Sequence, residues 1–455
     1  MLGIFFLIYV LFHLPLPQIY CMIQKQKIAF HTLGCKLNYA ETATIASLFD
    51  NNKYEQVPFS HQADVYVINT CSVTEQANKK CRQTINKAIR TSPDAKVAVV
   101  GCFAQLKAQE IGEMKGVSLV LGTKEKFNIV QYLESNTSPL PDQKVHSCEI
   151  DEVTQYAGSF SVEGRTRSFL KVQDGCDYNC SYCTIPLARG KSRNPSIDNI
   201  VEQAKIIEQK EIKEVILTGV NIGEFKNSNG EKFFDLLKSL EANTNIPRYR
   251  ISSIEPNLLT DEMIDWIATS KKFVPHFHIP LQSGNNDVLR LMRRRYNKEL
   301  FAQKISKILN VMPHCGIGID VIVGTPGETS QYFEDCYSFL ESIEFTYLHV
   351  FSYSPRENTD ALAIEPKVQE NEKSERSKRL HELSDKKTKA FYNKHLDETH
   401  SVLFEQKNNQ GFIQGFTSNY IKVELPFSKN LINEITEVDL ISIQPNGNVL
   451  GKINS

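Results

Sequence analysis

From residue 27 onward, short apolar runs alternate with amphipathic stretches, and this pattern predicts a parallel α/β architecture. In the first part of the chain the predicted strands lie at residues 28–30, 64–69, 96–100 and 117–121, and the predicted helices lie at residues 40–49 and 77–90. The polar stretch from residue 134 to residue 163 has no sustained periodicity, so we interpret it as a linker.

Six further strand-like runs follow the linker, and each precedes a stretch of helical character. They lie at residues 169–173, 215–220, 249–254, 276–281, 318–323 and 347–353. A closed (β/α)8 barrel would need two more such units, so we expect an open, partial (β/α)6 TIM-like barrel.

The last part of the chain changes character twice. Residues 368–396 are rich in Lys and Glu and predict a long helix, whose simplest interpretation is a solvated connection. Short apolar runs at residues 402–404, 412–416, 420–425 and 438–443, broken by Asn and Gly turns, predict a small all-β barrel. The expected fold class is therefore α/β, with a small β-barrel at the C-terminal end.

These patterns divide the chain into an N-terminal α/β domain at residues 22–135, a linker at 136–163, a barrel domain at 164–396 and a C-terminal β-barrel at 397–455. Residues 1–21 contain an apolar run that resembles a signal peptide, but no Lys or Arg precedes it and a small-residue cleavage pattern is missing. A signal or anchor, a disordered tail and a start codon assigned too early are the alternatives. We expect translation to begin at Met22, and the protein to act in the cytoplasm without a membrane partner.

Composition narrows the class of protein only slightly. Of the 455 residues, 41% are hydrophobic and 23% are charged, values that argue against a disordered or fibrous chain. The formal net charge of −1 gives no overall attraction to a polyanion, so any nucleic-acid contact must come from local Lys and Arg clusters. The 11 cysteines are too few and too unevenly spaced for a disulfide scaffold.

Three cysteines form a CxxxCxxC loop directly after the first predicted barrel strand. They are Cys176, Cys180 and Cys183, which we call the loop trio. Thiolates suit iron–sulfur clusters or zinc, but zinc would want a fourth ligand, and its paired CxxC modules are missing. The spacing favours a [4Fe–4S] cluster whose fourth iron stays open to a small molecule. The motif resembles the radical S-adenosylmethionine (SAM) superfamily, in which that iron binds SAM and electron transfer cleaves SAM to an adenosyl radical.

A second set of cysteines is scattered in sequence but equivalent in position. Cys35, Cys71 and Cys102 each follow the C-terminal end of a predicted strand, and we call them the strand-end trio. In a parallel sheet those ends lie along one edge, where ligands bind, so the three thiols should converge. The alternative is three unrelated buried cysteines.

The motifs around both trios carry a resemblance to a known family. Residues 34–38 (GCKLN), 69–74 (NTCSVT) and 101–105 (GCFAQ), followed by the loop trio, resemble the radical SAM methylthiotransferases, from Met22 nearly to the C-terminus. The resemblance implies a second [4Fe–4S] cluster on the strand-end trio and an RNA-binding TRAM domain at the C-terminus. It also implies two SAM molecules per turnover, tRNA bound through its anticodon stem-loop, and a one-electron donor such as flavodoxin or ferredoxin.

Polar groups at the ends of the predicted barrel strands are candidates for binding SAM, because this architecture places its active site there. The candidates are Tyr182, Thr218, Gly219, Asn221, Ser252, Glu255, Gln282, Asp320 and Gly324. Each of them alone could equally be an ordinary turn or a hydrogen-bonded buried polar group. Arg290, Arg293, Arg294, Arg295, Lys171, Arg189, Lys191 and Arg193 could contact phosphates or form a solvated face, and Arg189 is our substrate candidate among them.

Lys36 bears on the choice of substrate because it follows the first strand-end cysteine. An ammonium there suits a carboxylate on the target base, such as that of N6-threonylcarbamoyladenosine, better than an isopentenyl group. The GCKLN pattern also resembles the branch of the family that acts on this base at position 37 of tRNA. The alternatives are methylthiolation of N6-isopentenyladenosine, methylthiolation of a ribosomal-protein aspartate, a non-catalytic iron–sulfur RNA-binding module, and a Lys36 that simply points into solvent.

Overall fold

A computed structural model describes residues 24–134, 144–162, 166–407 and 411–453. The expectations for residues 1–21 and for a start at Met22 lie outside the described residues. Within the described residues no helix is both long and apolar enough to cross a membrane.

The N-terminal domain is built on a six-stranded sheet whose paired strands all run parallel, in the order β2-β1-β3-β4-β5-β6. Its strands are β1 Gln26–Thr32, β2 Tyr54–Gln56, β3 Val65–Thr70, β4 Lys96–Gly101, β5 Leu119–Leu121 and β6 Val145–His146. β3 is buried along its whole length, as expected for a strand with both faces covered. The sequence pattern missed β2 and β6, which are only three and two residues long. β6 lies inside the stretch interpreted as a linker, so part of that stretch extends the sheet.

Five helices connect these strands: α1 Lys36–Ser47, α2 Glu75–Thr91, α3 Cys102–Leu106, α4 Ala108–Gly112 and α5 Ile129–Glu134. α1 begins at Lys36, four residues before the predicted start. Asn38 explains the early start, because its side-chain amide donates to the carbonyls of Leu33 at 2.8 Å and Thr70 at 3.1 Å. The first turn of α1 is thereby fixed to the ends of two strands.

The central domain contains the six predicted strand and helix units, which confirms the open (β/α)6 expectation. Its strands are β7 Arg167–Lys171, β8 Glu214–Thr218, β9 Arg248–Ile251, β10 His276–Gln282, β11 Gly316–Val323 and β12 Tyr347–Ser352. Its helices are α6 Ile185–Arg189, α7 Ile197–Glu208, α8 Phe233–Asn243, α9 Asp261–Thr269, α10 Asn286–Leu291, α11 Lys298–Val311 and α12 Ser330–Ser342. The strands form two parallel sheets, β7-β8-β9 and β10-β11-β12, joined by a bridge between Ser253 and His278.

Alternation along the strands separates an outer face from a polar lumen. In β10, Phe277, Ile279 and Leu281 belong to the apolar core beneath the helices, so His276 and His278 face the other side. On the opposite half of the barrel, α1 of the N-terminal domain packs Ala40 against Phe169 and Ile216. The N-terminal domain therefore fills one half of the lumen and leaves the half lined by β10–β12 open.

Helix α13 Glu370–Lys394 leads into the C-terminal domain, a closed barrel in the order β13-β14-β15-β17-β16. Its strands are β13 Thr399–Lys407, β14 Phe412–Thr417, β15 Lys422–Pro426, β16 Ile435–Ile443 and β17 Val449–Ile453. The closed β-barrel agrees with the expected C-terminal domain. The sequence pattern missed only β17.

The C-terminal barrel closes the end of the central barrel at which its strands begin. Arg250 donates to the carbonyl of Ser418 at 3.0 Å, and the ring of Tyr420 lies 4.5 Å from that of His276, centroid to centroid. The contact at Gly316 is tight, because a Cβ atom there would lie 2.1 Å from the carbonyl oxygen of Asn419. The lumen is therefore bounded by all three domains.

Candidate active site

The loop trio follows β7 in a loop that presents hydrogen-bond donors to its sulfur atoms. The backbone N–H groups of Tyr178 and Ile185 donate to the Sγ atoms of Cys176 and Cys183, each at 3.4 Å. Arg294 donates to Cys180 Sγ at 3.0 Å. Donors of this kind stabilise a thiolate, which is the form of cysteine that binds iron.

Arg294 is part of the site rather than of a solvated face. Its side chain is 3% exposed, and besides Cys180 it contacts the carboxylate of Glu255 and donates to the hydroxyl of Tyr296 at 3.1 Å. Glu255 follows β9, so the guanidinium of Arg294 joins the end of β9 to the cysteine loop that follows β7. The sequence interpretation of Arg294 as a phosphate contact therefore does not fit its burial.

The strand-end trio lies at one edge of the sheet, as the sequence predicted. Cys35, Cys71 and Cys102 follow β1, β3 and β4, which are neighbours and run parallel. Burial, and then the neighbouring thiols of Cys102 and Cys35, raise the pKa of Cys71 to about 12. Gly34 has a φ of 102°, and a Cβ on it would lie 2.7 Å from Cys71 Cβ, so only glycine allows this approach.

Arg189 of the central domain contacts the strand-end trio of the N-terminal domain. It donates from Nε to Cys102 Sγ at 3.3 Å, and its other nitrogens bind Asn38 at 2.7 Å, Asp174 at 2.9 Å and Glu41 at 3.0 Å. Its side chain is 2% exposed. The sequence interpretation placed Arg189 on the substrate, but with its donors taken up inside the protein it has none directed to a tRNA phosphate.

Both trios fit a four-iron cluster better than a single ion. A [4Fe–4S] cluster places each thiolate on a different iron, whereas one ion needs all its ligand atoms close together. Within the part of the chain that the structure describes, the groups whose ligand atoms all lie within 4.8 Å are two His and carboxylate clusters, and neither cysteine trio is among them. The six thiols belong to free cysteines. Two cubic clusters, one on each trio, suit this arrangement.

Several SAM candidates surround the loop trio. Thr218 ends β8, and Asn221 follows it with its amide 3.9 Å from Cys176 Sγ. Gln173 holds this turn, because its side-chain oxygen accepts the N–H groups of Val220 and Asn221, each at 2.9 Å. Gly219 allows the close contact, since a Cβ there would lie 2.9 Å from the carbonyl oxygen of Gln173. The sequence analysis did not single out Gln173, although it lies three residues before the first cysteine of the loop.

Buried hydrogen-bonding atoms without a partner indicate that the region around the loop trio binds a polar ligand. Asn221 Oδ1, Asn257 Oδ1 and Thr325 Oγ1 are buried and have no partner among the described residues. Buried polar atoms are nearly always paired in folded proteins, so these acceptors suit an amino group or ribose hydroxyls. SAM carries both, and when bound at the open iron of the loop cluster it supplies the adenosyl radical.

The remaining SAM candidates occupy different places. Ser252 is buried just after β9, and Tyr182 lies with its hydroxyl 3.5 Å from Arg294. Gln282 ends β10 with a φ of 66°. Gly324 was expected to let backbone approach adenine, but the space beyond its Cα is filled by Lys373 of α13, whose Cγ would lie 2.3 Å from a Cβ. Its lack of a side chain therefore serves the packing of that helix.

Asp320 lies in the lumen within a chain of polar side chains. His278 Nε2 lies 2.7 Å from Asp320 Oδ1, and His349 Nδ1 lies 3.2 Å from the same oxygen. Ser253 Oγ lies 3.0 Å from His278 Nδ1. Neither histidine is among the SAM candidates named from the sequence, although polar residues alternating with apolar ones in β10 could have indicated a lumen-facing row.

Lys36 projects toward this polar half of the lumen from the start of α1. Burial lowers its pKa, and the charged groups that influence it include Arg167, Arg250 and Asp320 of the barrel. Among the described residues its ammonium has no hydrogen-bond or ion-pair partner. Lys36 is only partly exposed, and a partly desolvated ammonium with no partner suits an anionic ligand, which makes Lys36 a candidate for binding one.

Comparisons with known proteins agree with this geometry. Residues 27–122 match the family model described as "Uncharacterized protein family UPF0004", and residues 170–340 match that of the radical SAM superfamily. The solved structure of the radical SAM methyltransferase TsrM from Kitasatospora setae aligns with a TM-score of 0.52 at 13% identity, covering 72% of this chain and 73% of that one. At this identity the alignment supports the fold alone.

Relatives of higher identity cover nearly the whole chain. The threonylcarbamoyladenosine tRNA methylthiotransferase MtaB of Bacillus subtilis is 38% identical over 421 residues, which are 91% of this chain and 93% of the relative. The tRNA-2-methylthio-N(6)-dimethylallyladenosine synthase of Helicobacter acinonychis is 32% identical, over 91% of this chain and 96% of the relative. The chain therefore belongs to the radical SAM methylthiotransferase family.

Proposed function

We propose that this protein attaches a methylthio group to N6-threonylcarbamoyladenosine at position 37 of tRNA. Membership of the family supports the chemistry, and the name of the Bacillus subtilis relative supports the modified base. Two SAM molecules would be used per turnover, one as the source of the radical and one as the source of the methyl group.

Lys36 is the observation that carries the choice of base. The threonylcarbamoyl group ends in a carboxylate, and Lys36 offers an unpaired ammonium beside Cys35, where the strand-end cluster meets the lumen. A charge-assisted hydrogen bond between the two satisfies both groups. An isopentenyl group has no atom that could accept this bond, so it would leave the ammonium unpaired.

The edge strand β12 offers a platform for the base itself. Phe351 is 47% exposed, and His349, two residues earlier on the same face, is about half exposed. Unstacked bases of single-stranded RNA are commonly bound on aromatic side chains. An adenine stacked here would lie in the open half of the lumen, on the side toward which Lys36 points.

The three domains have distinct tasks in this proposal. Residues 22–135 hold the auxiliary cluster, residues 164–396 hold the SAM cluster and SAM, and residues 397–455 bind the anticodon stem-loop of tRNA. A one-electron donor such as flavodoxin or ferredoxin would reduce the SAM cluster. The protein would act in the cytoplasm, where tRNA and such donors are found.

The test is nucleoside mass spectrometry of tRNA from a strain that lacks the gene. We expect 2-methylthio-N6-threonylcarbamoyladenosine to be absent and 2-methylthio-N6-isopentenyladenosine to persist. Loss of the isopentenyl derivative instead would overturn the base and leave the chemistry intact. Retention of both, together with no 5′-deoxyadenosine from reduced, reconstituted protein, would favour the non-catalytic RNA-binding module.

A further inference from the structure

A buried ion network surrounds the auxiliary site, and its charges do not balance within the protein. Its two carboxylates are Glu41 and Asp174, and its four cations are Lys126, Lys171, Arg189 and Arg193. The side chains of all six are at most 7% exposed. The network joins the N-terminal domain, which supplies Glu41 and Lys126, to the central domain, which supplies the rest.

Two surplus positive charges in a protein interior are very costly unless an anion lies nearby. Arg189 shows where the surplus is directed, because its Nε donates to Cys102 Sγ at 3.3 Å. A [4Fe–4S] cluster on three thiolates is an anion, and it becomes more negative when it is reduced. The network therefore has the sign and the position of a counter-charge for this cluster.

The loop trio has the opposite surroundings. Arg294, which donates to Cys180, is paired with the carboxylate of Glu255. Glu224 is a further carboxylate beside Cys176, and its oxygen accepts the N–H of Asp177 at 3.1 Å. Arg294 is thus neutralised, and Arg295, a further cation near Cys180, is exposed to solvent, so these groups give the loop trio no surplus of buried positive charge.

We propose that the buried network centred on Arg189 raises the reduction potential of the auxiliary cluster above that of the SAM cluster. This inference rests on the proposed function, because it requires a cluster on each trio. Positive charge and N–H···S hydrogen bonds both favour the reduced, more negative state of a cluster. Arg189 is in this sense a positioning and tuning residue that acts through Cys102.

The order of the two potentials suits the chemistry. Cleavage of SAM needs a strongly reducing cluster, and the loop trio lacks the surplus of buried positive charge that would raise the potential of its cluster. Joining a carbon radical to a closed-shell thiolate sulfur forms one carbon–sulfur bond and leaves one electron over. A cluster held by Cys35, Cys71 and Cys102 would supply the acceptor for that electron, and a higher potential would make it a better one.

The experiment is a redox titration followed by electron paramagnetic resonance on the full-length chain. In a background with the loop trio changed to Ala, only the auxiliary cluster contributes to the signal. Arg189→Gln should lower its potential and Glu41→Gln should raise it, while Arg189→Lys, which keeps the charge but loses the bond to sulfur, should give a smaller fall. The matched control is Arg189→Gln in the background with the strand-end trio changed to Ala, where only the SAM cluster is present: its potential should lie below that of the auxiliary cluster and should not change.

Opposite signs for Arg189→Gln and Glu41→Gln separate an electrostatic effect from loosening of the interface, which would move both potentials the same way. Shifts of the same sign, or no shift in either variant, would overturn the inference. Iron content of the unsubstituted protein distinguishes the two levels of the proposal. If the strand-end trio of the unsubstituted protein holds no cluster, the proposed function fails. If it holds a cluster whose potential does not change when the network is altered, only this inference fails.

Discussion

The sharpest test of substrate choice is replacement of Lys36 by Met, which keeps the length and apolar stem of the side chain and removes its charge. Lys36 has no hydrogen-bond partner among the described residues, so the substitution leaves no protein group newly unpaired. A hydrogen bond to a charged group contributes about 1.5–3 kcal/mol. Since about 1.4 kcal/mol corresponds to tenfold in rate, kcat/KM on threonylcarbamoylated tRNA should fall by roughly 10- to 100-fold.

The assay compares methylthiolated product with 5′-deoxyadenosine in anaerobic reactions, each followed by mass spectrometry. Formation of 5′-deoxyadenosine without tRNA should be unchanged in Lys36→Met, because the loop trio and the residues around it are untouched. Iron content should also be unchanged, which excludes loss of the cluster on the adjacent Cys35. Lys36→Arg, which retains a cation, should recover part of the activity.

Two outcomes would refute the reasoning about Lys36. One is an unchanged kcat/KM on threonylcarbamoylated tRNA, which would place the ammonium away from the substrate. The other is an equal loss on tRNA that carries unmodified adenosine at position 37, which would show that Lys36 supports the fold or the tRNA rather than the carboxylate. A matched control is Lys79→Met, since this lysine is exposed on α2.

Three further predictions concern the clusters and the domain contacts. Reconstituted protein should bind about eight irons, and a variant with either cysteine trio changed to Ala should bind about four. SAM cleavage should be lost only in the loop-trio variant, and full iron content in either variant would contradict the ligand assignment. Glu214 is buried among Arg250, Arg167 and Arg248; burial acts to raise its pKa, but the guanidinium groups lower the pKa overall. The ionised carboxylate therefore stabilises the folded state above the ordinary pKa of 4.5, and this stabilisation is lost as the pH falls through the lowered pKa of the folded state. Glu214→Gln should therefore lower the free energy of unfolding by about 3–5 kcal/mol at pH 7, with the difference from the unsubstituted protein shrinking below pH 4.5 in denaturant titrations; a difference independent of pH would exclude this charge effect. Gly316→Ala should loosen the C-terminal barrel, seen as faster proteolysis near α13, because its Cβ would meet the Asn419 carbonyl; unchanged cleavage would count against that contact.

Much of the fold follows from local pattern. The six barrel strands and four of the six strands of the N-terminal sheet are runs of apolar residues long enough to stand out from their surroundings. β2 and β6 give no such signal because each contains a single apolar side chain, whereas the equally short β5 consists of three, and they form because neighbouring strands offer them partners. α1 was placed too late because its start is fixed by the Asn38 side chain, a contact to residues 5 and 32 positions away.

The cysteine positions were predictable for a different reason from the residues around them. Each strand-end cysteine directly follows its own strand, so the topology of a parallel sheet brings the three together without further information. Arg189 and Arg294 could not be placed in this way, because an Arg in a sequence gives no sign of whether its partners are solvent or buried carboxylates. Arg189 was assigned to the substrate, and Arg294 to a phosphate contact or a solvated face, yet the side chains of both are buried against cysteines of the two trios.

The lumen shows why the choice of substrate depends on the assembly of all three domains. Lys36 comes from the N-terminal domain, Asp320 and Arg250 come from the central barrel, and Tyr420 comes from the C-terminal barrel, yet all of them influence the same ammonium. Gly316 allows the C-terminal barrel to approach closely, and Tyr420 of that barrel lies with its ring 4.5 Å from that of His276. On the proposed function, Lys36 therefore recognises the modified base at a place where all three domains meet, one residue from a cysteine of the strand-end trio.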